Sequence, residues 1–178
     1  MNAMKKILAL ALAGVMALAL LTGCGTGGSA SHKSIAKAMA DYENGIDRKT
    51  TITCTSSAVL DAKLQELAAN DGFEAIVKAV YNNDSTTLSK IRTALSNNSA
   101  LSGKVVYLYC GKYDKDAGKQ AINLNAHSAC VNSYTYNAPP LADERQIGLI
   151  TTSFTDTNGE KVKVRFAVVV SKIPTATP

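Results

Sequence analysis

The sequence predicts an α+β fold, with N-terminal helices packed on a C-terminal antiparallel sheet after a cleaved signal peptide. Three observations carry the prediction. Apolar residues recur at helical spacing through residues 33–98, and β-branched runs and strict alternation take over through residues 103–172. An apolar leader over residues 1–23 matches neither half. Segregated periods of this kind argue for α+β rather than alternating α/β. The expected organisation is a leader (1–23), a flexible tether (24–32), one domain (33–173) and a frayed tail (174–178).

In the helical half, Ile35, Ala38, Met39 and Tyr42 fall at i, i+3, i+4 and i+7, one face of a helix. Asn44-Gly45 closes it as a left-handed cap, with Ile46 packing back on the last turn. Residues 51–55 read as a short strand or an extended connection. Val59, Leu60, Leu64, Leu67 and Ala68 mark a second helix, with Ser56 or Ser57 as its N-cap. Asn70-Asp71-Gly72 ends it, and Asp71 with Glu74 makes an Asp-x-x-Glu arrangement related to the capping box. Phe73, Ile76, Val77, Val80 and Tyr81 line a third helix, which Asn82-Asn83-Asp84 breaks. Leu88, Ile91 and Leu95 line a fourth, stopping at Asn97-Asn98. Short connections between consecutive helices favour antiparallel neighbours.

In the β half, residues 104–110 (Lys-Val-Val-Tyr-Leu-Tyr-Cys) are apolar on both faces and read as a central strand. Two readings stand for residues 116–131. One is a hairpin turning at Asp116-Ala117-Gly118-Lys119 and returning as a strand over 120–126, with Ile122, Leu124 and Ala126 on one face. The other is a helix. The hairpin is preferred because Asn123 and Asn125 are indifferent helix formers, although they fit an exposed strand face poorly too. Pro139-Pro140 marks a loop between Tyr134-Thr135-Tyr136 and the final hairpin. That hairpin joins residues 147–155 to 161–171 through Asp156-Thr157-Asn158-Gly159-Glu160, which holds the Asn-Gly turn signal. Val162, Val164, Phe166, Val168 and Val170 form one face. The opposite face is charged near the turn and apolar toward the end, so it is expected to be covered only at that end.

The leader carries Lys5 and Lys6, then an almost purely apolar run over residues 7–21. As a helix that run measures about 22 Å against a hydrocarbon core of about 30 Å. It is therefore a secretory signal rather than a lasting span. Leu21-Thr22-Gly23-Cys24 follows, an aliphatic residue, two small residues and a cysteine. These residues resemble the lipobox of the bacterial lipoprotein class. The resemblance covers the first 24 residues and implies no fold for the rest. It implies diacylglycerol on the Cys24 sulfur, cleavage after Gly23, and a membrane lipid as partner through acylated Cys24. It also implies residence at the bacterial cell membrane, facing outside the cytoplasm. Two acyl chains anchor stably where one anchors marginally, at about 0.8 kcal/mol per buried methylene. Gly25-Thr26-Gly27-Gly28-Ser29-Ala30-Ser31 then reads as the tether.

Loss of Lys5 and Lys6 with the leader reduces the Lys and Arg count from 19 to 17 against 14 acids, a net charge of +3. That is too mild to imply nucleic acid. Once Cys24 is acylated, Cys54, Cys110 and Cys130 remain. Disulfides are permitted outside the cytoplasm. The favoured pair is Cys110–Cys130, and three reduced thiols acting as small hydrophobes are the competing reading.

No complete catalytic set is present. His127-Ser128-Ala129-Cys130 places an imidazole near a thiol, the residue types of a Cys–His nucleophile pair, yet a metal site needs three or four converging ligands. Asp114-Lys115-Asp116-Ala117-Gly118 has carboxylates at alternate positions but lacks the third oxygen ligand and the glycine placement of a calcium loop. Asp143-Glu144-Arg145 reads as a solvated loop. Tyr107, Tyr109, Tyr113, Tyr134 and Tyr136 suit either strand packing or a binding surface. No phosphate loop, Gly-x-Ser-x-Gly or His-Glu-x-x-His occurs. The expectation is a non-enzymatic binding or assembly component of the envelope, with an unidentified envelope protein partner and no cofactor. The alternative is an enzyme with a dispersed site involving Cys130 and His127.

Overall fold

The computed structural model describes residues 30–46, 51–95, 101–132 and 142–173. The fold is α+β. Helix α1 (Ala30–Asn44) leads to strand β1 (Thr53–Ser56), then to helices α2 (Ala58–Ala68), α3 (Phe73–Tyr81) and α4 (Ser85–Leu95). Strand β2 (Lys104–Lys112), helix α5 (Ala117–Asn125) and strands β3 (Ser128–Cys130), β4 (Glu144–Thr155) and β5 (Lys161–Lys172) follow. The sheet runs β1-β4-β5-β2-β3. It is mixed rather than antiparallel throughout, because β1 pairs with β4 in parallel.

The helices divide between the two sheet faces, and the second face is covered at its apolar end, as the pattern of β5 led one to expect. Val106, Leu108, Cys110, Val164, Phe166, Val168 and Val170 point to α2, α3 and α4. Tyr109, Ile147, Leu149, Ala167 and Val169 point to α1 and α5. Both faces are apolar because both are covered, as the continuous Val-rich run of β5 requires. The first core holds Leu60, Leu64, Leu67, Phe73, Val77 and Leu88, with Phe73 edge-on to Phe166 at 5.3 Å between centroids. Full burial of each such side chain stabilises the fold by about 1.5–3 kcal/mol.

Two glycines allow helices to approach the sheet. A Cβ on Gly148 would lie 2.4 Å from the Leu60 Cβ, and one on Gly111 would lie 2.4 Å from the Asn123 carbonyl carbon. Gly148 thus seats α2 on one face, and Gly111 seats α5 on the other.

Ser57 caps α2, accepting from the Leu60 N–H, and the four helices of the first half occupy the expected segments. The final hairpin has the expected strands and turn, with Gly159 at φ 83°. Several expectations need correction. Residues 116–131 are not a hairpin: α5 forms, capped by Asp116, whose Oδ1 accepts from the Lys119 N–H. Its polar side chains are used against the neighbouring loop. Gln120 and Asn123 both donate to the Lys112 carbonyl, and Gln120 Oε1 accepts from the Asp114 N–H.

The tether ends earlier than residue 32, since α1 starts at Ala30 and His32 is bonded to Asp61. The buried face of α1 is Ile35, Ala36, Met39 and Ala40, while Tyr42 is 42% exposed. Small residues on that face let α1 lie beside α5. Gly45 is not left-handed and Ile46 is exposed. Asn44 instead clamps the Ile52 backbone, accepting from its N–H at 2.8 Å and donating to its carbonyl at 2.9 Å. Asp71 does not cap α3, whose cap is the left-handed Gly72, and Glu74 accepts from the Thr155 N–H. Asn97-Asn98, Tyr134, Tyr136 and Pro139-Pro140 lie outside the described residues, as do the leader and Cys24.

Candidate binding surface

The face covered by α1 and α5 carries polar groups at both ends. At the open end of the hairpin, β4 presents Arg145 across from Cys54 of β1. Arg145 Nη1 meets Glu43 Oε1 of α1 at 2.5 Å, with the two side chains only 4% and 13% exposed. Arg145 Nε also donates to the Ala142 carbonyl. The pair therefore ties the end of α1 to the sheet, and Glu144-Arg145 opens β4 directly after Asp143, so the segment is not the solvated loop that was expected. Burial pushes the Cys54 thiol up to about 12, although Arg145 pulls it down. Burial is also the main cause that raises Tyr109, with the Glu43 carboxylate adding to it. Tyr107 is raised as well, chiefly by burial. Its ring lies 6.2 Å from that of Tyr109. At neutral pH these groups are a protonated thiol and protonated phenols around one buried ion pair, an arrangement suited to holding shape.

Midway along β4, where β1 has ended, the Leu149 N–H would be left open. Asp61 Oδ1 of α2 accepts from it at 2.7 Å, and Asp61 Oδ2 meets His32 Nδ1 at 2.8 Å. One carboxylate thus joins the beginnings of α1 and α2 to the sheet. Neither Asp61 nor Glu43 was legible in the sequence as a partner, because their contacts span 88 and 102 residues.

Toward the β4–β5 turn the same face passes from apolar to cationic. Thr151, Ser153 and Thr155 of β4 pair with Arg165, Lys163 and Lys161 of β5. Tyr113, just past β2, lies beneath two of these cations, with Lys163 Nζ 4.0 Å and Arg165 Cζ 5.2 Å from its ring centroid. Arg165 is only 7% exposed, and its Nε has no hydrogen-bond partner. Here the charged end of the hairpin face was legible from alternation alone.

The residues singled out for chemistry do not converge. His127 stacks on Tyr81 at 5.0 Å, among the residues of the α2–α4 face. Cys130 pairs in register with Tyr107 and so points to the opposite face. Imidazole and thiol are thus separated by the sheet, and the Cys–His nucleophile pair is not assembled. The Cys110–Cys130 disulfide is excluded by the same parity. Cys110 belongs to the α2–α4 core and Cys130 to the other side, whereas a bridge needs converging Cβ vectors. Cys54, Cys110 and Cys130 are thiols. The Asp114 and Asp116 carboxylates accept local backbone N–H groups, forming the α5 cap rather than a calcium loop. Among the described residues no three His, Cys, Asp or Glu side chains converge as metal ligands would. Tyr107 and Tyr109 sit at one end of the face and Tyr113 at the other. No helix of the described residues is long and apolar enough to cross a membrane. Comparison with protein-family models, curated proteins and solved structures yields no match to this chain.

Proposed function

We propose that this chain is a lipid-anchored component of the bacterial cell envelope, facing outside the cytoplasm, and that it works by binding or assembly rather than by catalysis. The observation that carries the reading is Leu21-Thr22-Gly23-Cys24 placed directly behind a basic start and an apolar run. Support comes from the disposition of the polar side chains. Glu43, Arg145, His32, Asp61, Gln120 and Asn123 are committed to holding elements together. The separation of His127 from Cys130 removes the one nucleophile pair that the sequence suggested. Among the described residues the sheet also exposes a hydroxyl-and-cation strip, a binding surface by chemistry. The partners are the membrane lipid bonded to Cys24 and an envelope protein not yet identified.

Mass spectrometry of the chain purified from membranes tests the anchor. The parent is expected to begin at Cys24 and carry the diacylglycerol mass, while Cys24→Ala keeps its leader and carries none. A parent without lipid ends the proposal.

A further inference from the structure

The cationic strip begins close to the start of α1. Helix α1 begins at Ala30, and His32 is bonded to Asp61, which holds the Leu149 N–H. Thr151, the first residue of the strip, is two positions further along β4, about 7 Å. Cys24 precedes Ala30 by six residues. That length of chain spans at most about 20 Å. An acylated Cys24 therefore keeps the start of α1, and the strip that begins beside it, within about 20 Å of the bilayer.

The strip suits an anionic partner. Lys161, Lys163, Thr151 and Thr155 are exposed, and Ser153 is half-buried. Arg165 is a nearly buried guanidinium whose Nε lacks a partner, braced on the Tyr113 ring beside Lys163. No acid stands at strip positions on these strands. Of the acids nearby, Asp61 is bonded to His32 and the Leu149 N–H, Asp156, Asp114 and Asp116 accept backbone N–H groups of their own turns, Glu74 accepts from the Thr155 backbone, and Glu160 is in the hairpin turn. The hydroxyls supply donors beside the cations, the combination that phosphate oxygens require.

We propose that this strip docks on the anionic phospholipid headgroups of the membrane that holds Cys24, so that the domain lies in one orientation on the bilayer with its β4–β5 turn down. The proposal rests on the lipid anchor for its geometry. Each cation near an anionic surface strengthens attachment by about fivefold at moderate salt.

The test uses the mature lipidated protein in vesicles of phosphatidylcholine, alone or with about one third phosphatidylglycerol. A water-soluble reagent acylates lysines, and mass spectrometry reads each rate. Lys161 and Lys163 are expected to slow by about fivefold or more on the anionic vesicles and to recover in about 0.5 M NaCl. Lys172, at the other end of β5, is expected to be unchanged. Equal rates in both vesicles overturn the proposal. So does protection by soluble polyphosphate without protection by vesicles, which would make another polyanion the ligand. Flotation reads the anchor separately. A chain that does not float with neutral vesicles has no lipid anchor, and its lysine rates on added anionic vesicles still decide the strip. The variant Lys161→Glu/Lys163→Glu changes two exposed positions and is read by amide exchange of the β4–β5 turn. Slowing on anionic vesicles must vanish in it, and persistence of the slowing refutes the docking.

Discussion

Replacing Arg145 by Met keeps most of the side-chain volume and removes the charge. It leaves the Glu43 carboxylate, 13% exposed, without the guanidinium that meets it at 2.5 Å. Removing one member of a buried pair costs about 3–5 kcal/mol, because the remaining charge loses its compensation. With a urea m-value of about 1–3 kcal/mol/M for a small protein, the midpoint should fall by roughly 2 M. Cys54, which Arg145 holds lower, should become still harder to ionise. The double variant Glu43→Leu/Arg145→Met should recover to within about 1–2 kcal/mol of the parent, since a well-packed apolar pair often replaces a buried ion pair without loss. Urea unfolding of the four proteins, followed by circular dichroism, closes the cycle. A loss below about 1 kcal/mol in Arg145→Met would place the pair among solvent-exposed bridges and refute the reasoning.

Gly148→Ala should cost about 1–3 kcal/mol or more, because its methyl carbon would sit 2.4 Å from the Leu60 Cβ and 2.8 Å from the Leu60 carbonyl carbon. Thermal unfolding at the parent's midpoint would contradict the seating of α2 on that face. Alkaline pH offers a third test. Burial pushes the Cys110 thiol from 9.0 up to about 12. The unfolded chain therefore releases this proton at lower pH than the fold does. The thiol's stabilisation is complete below pH 9 and declines as pH rises toward 12, with a slope of up to about 1.4 kcal/mol per pH unit. Urea midpoints at a series of pH values should show Cys110→Val losing less between pH 9 and 11 than the parent, and parallel profiles would count against the burial of this sulfur.

How much could be read in advance depended on the range of each interaction. The β4–β5 hairpin was legible because its turn residues and alternation lie within one short stretch, and Ser57 announced α2 for the same reason. Helix α5 was misread because Gln120 and Asn123 look unsuited to a helix until the Lys112 carbonyl and Asp114 N–H are brought beside them. The buried face of α1 was displaced toward Ala36 and Ala40, since two helices share that side of the sheet and small residues permit their approach. The Cys110–Cys130 pairing failed on parity, which reverses with a shift of one residue along a strand.

The sequence by itself determined where the four N-terminal helices, the central strand and the last hairpin lie, which end of that hairpin is charged, and that a lipobox-like cysteine follows an apolar run. Each of these is written in neighbours a few residues apart, where helical and extended periods leave their mark. Only the tertiary structure decided that β1 joins β4 in parallel, that the helices divide between two faces, and that His127 and Cys130 stand on opposite sides of the sheet. It also decided that Asp61 holds the start of α1 beside Leu149 and the cationic strip. Those outcomes depend on strand order and register, which are set by which apolar surfaces can be buried together, and no local pattern records the choice.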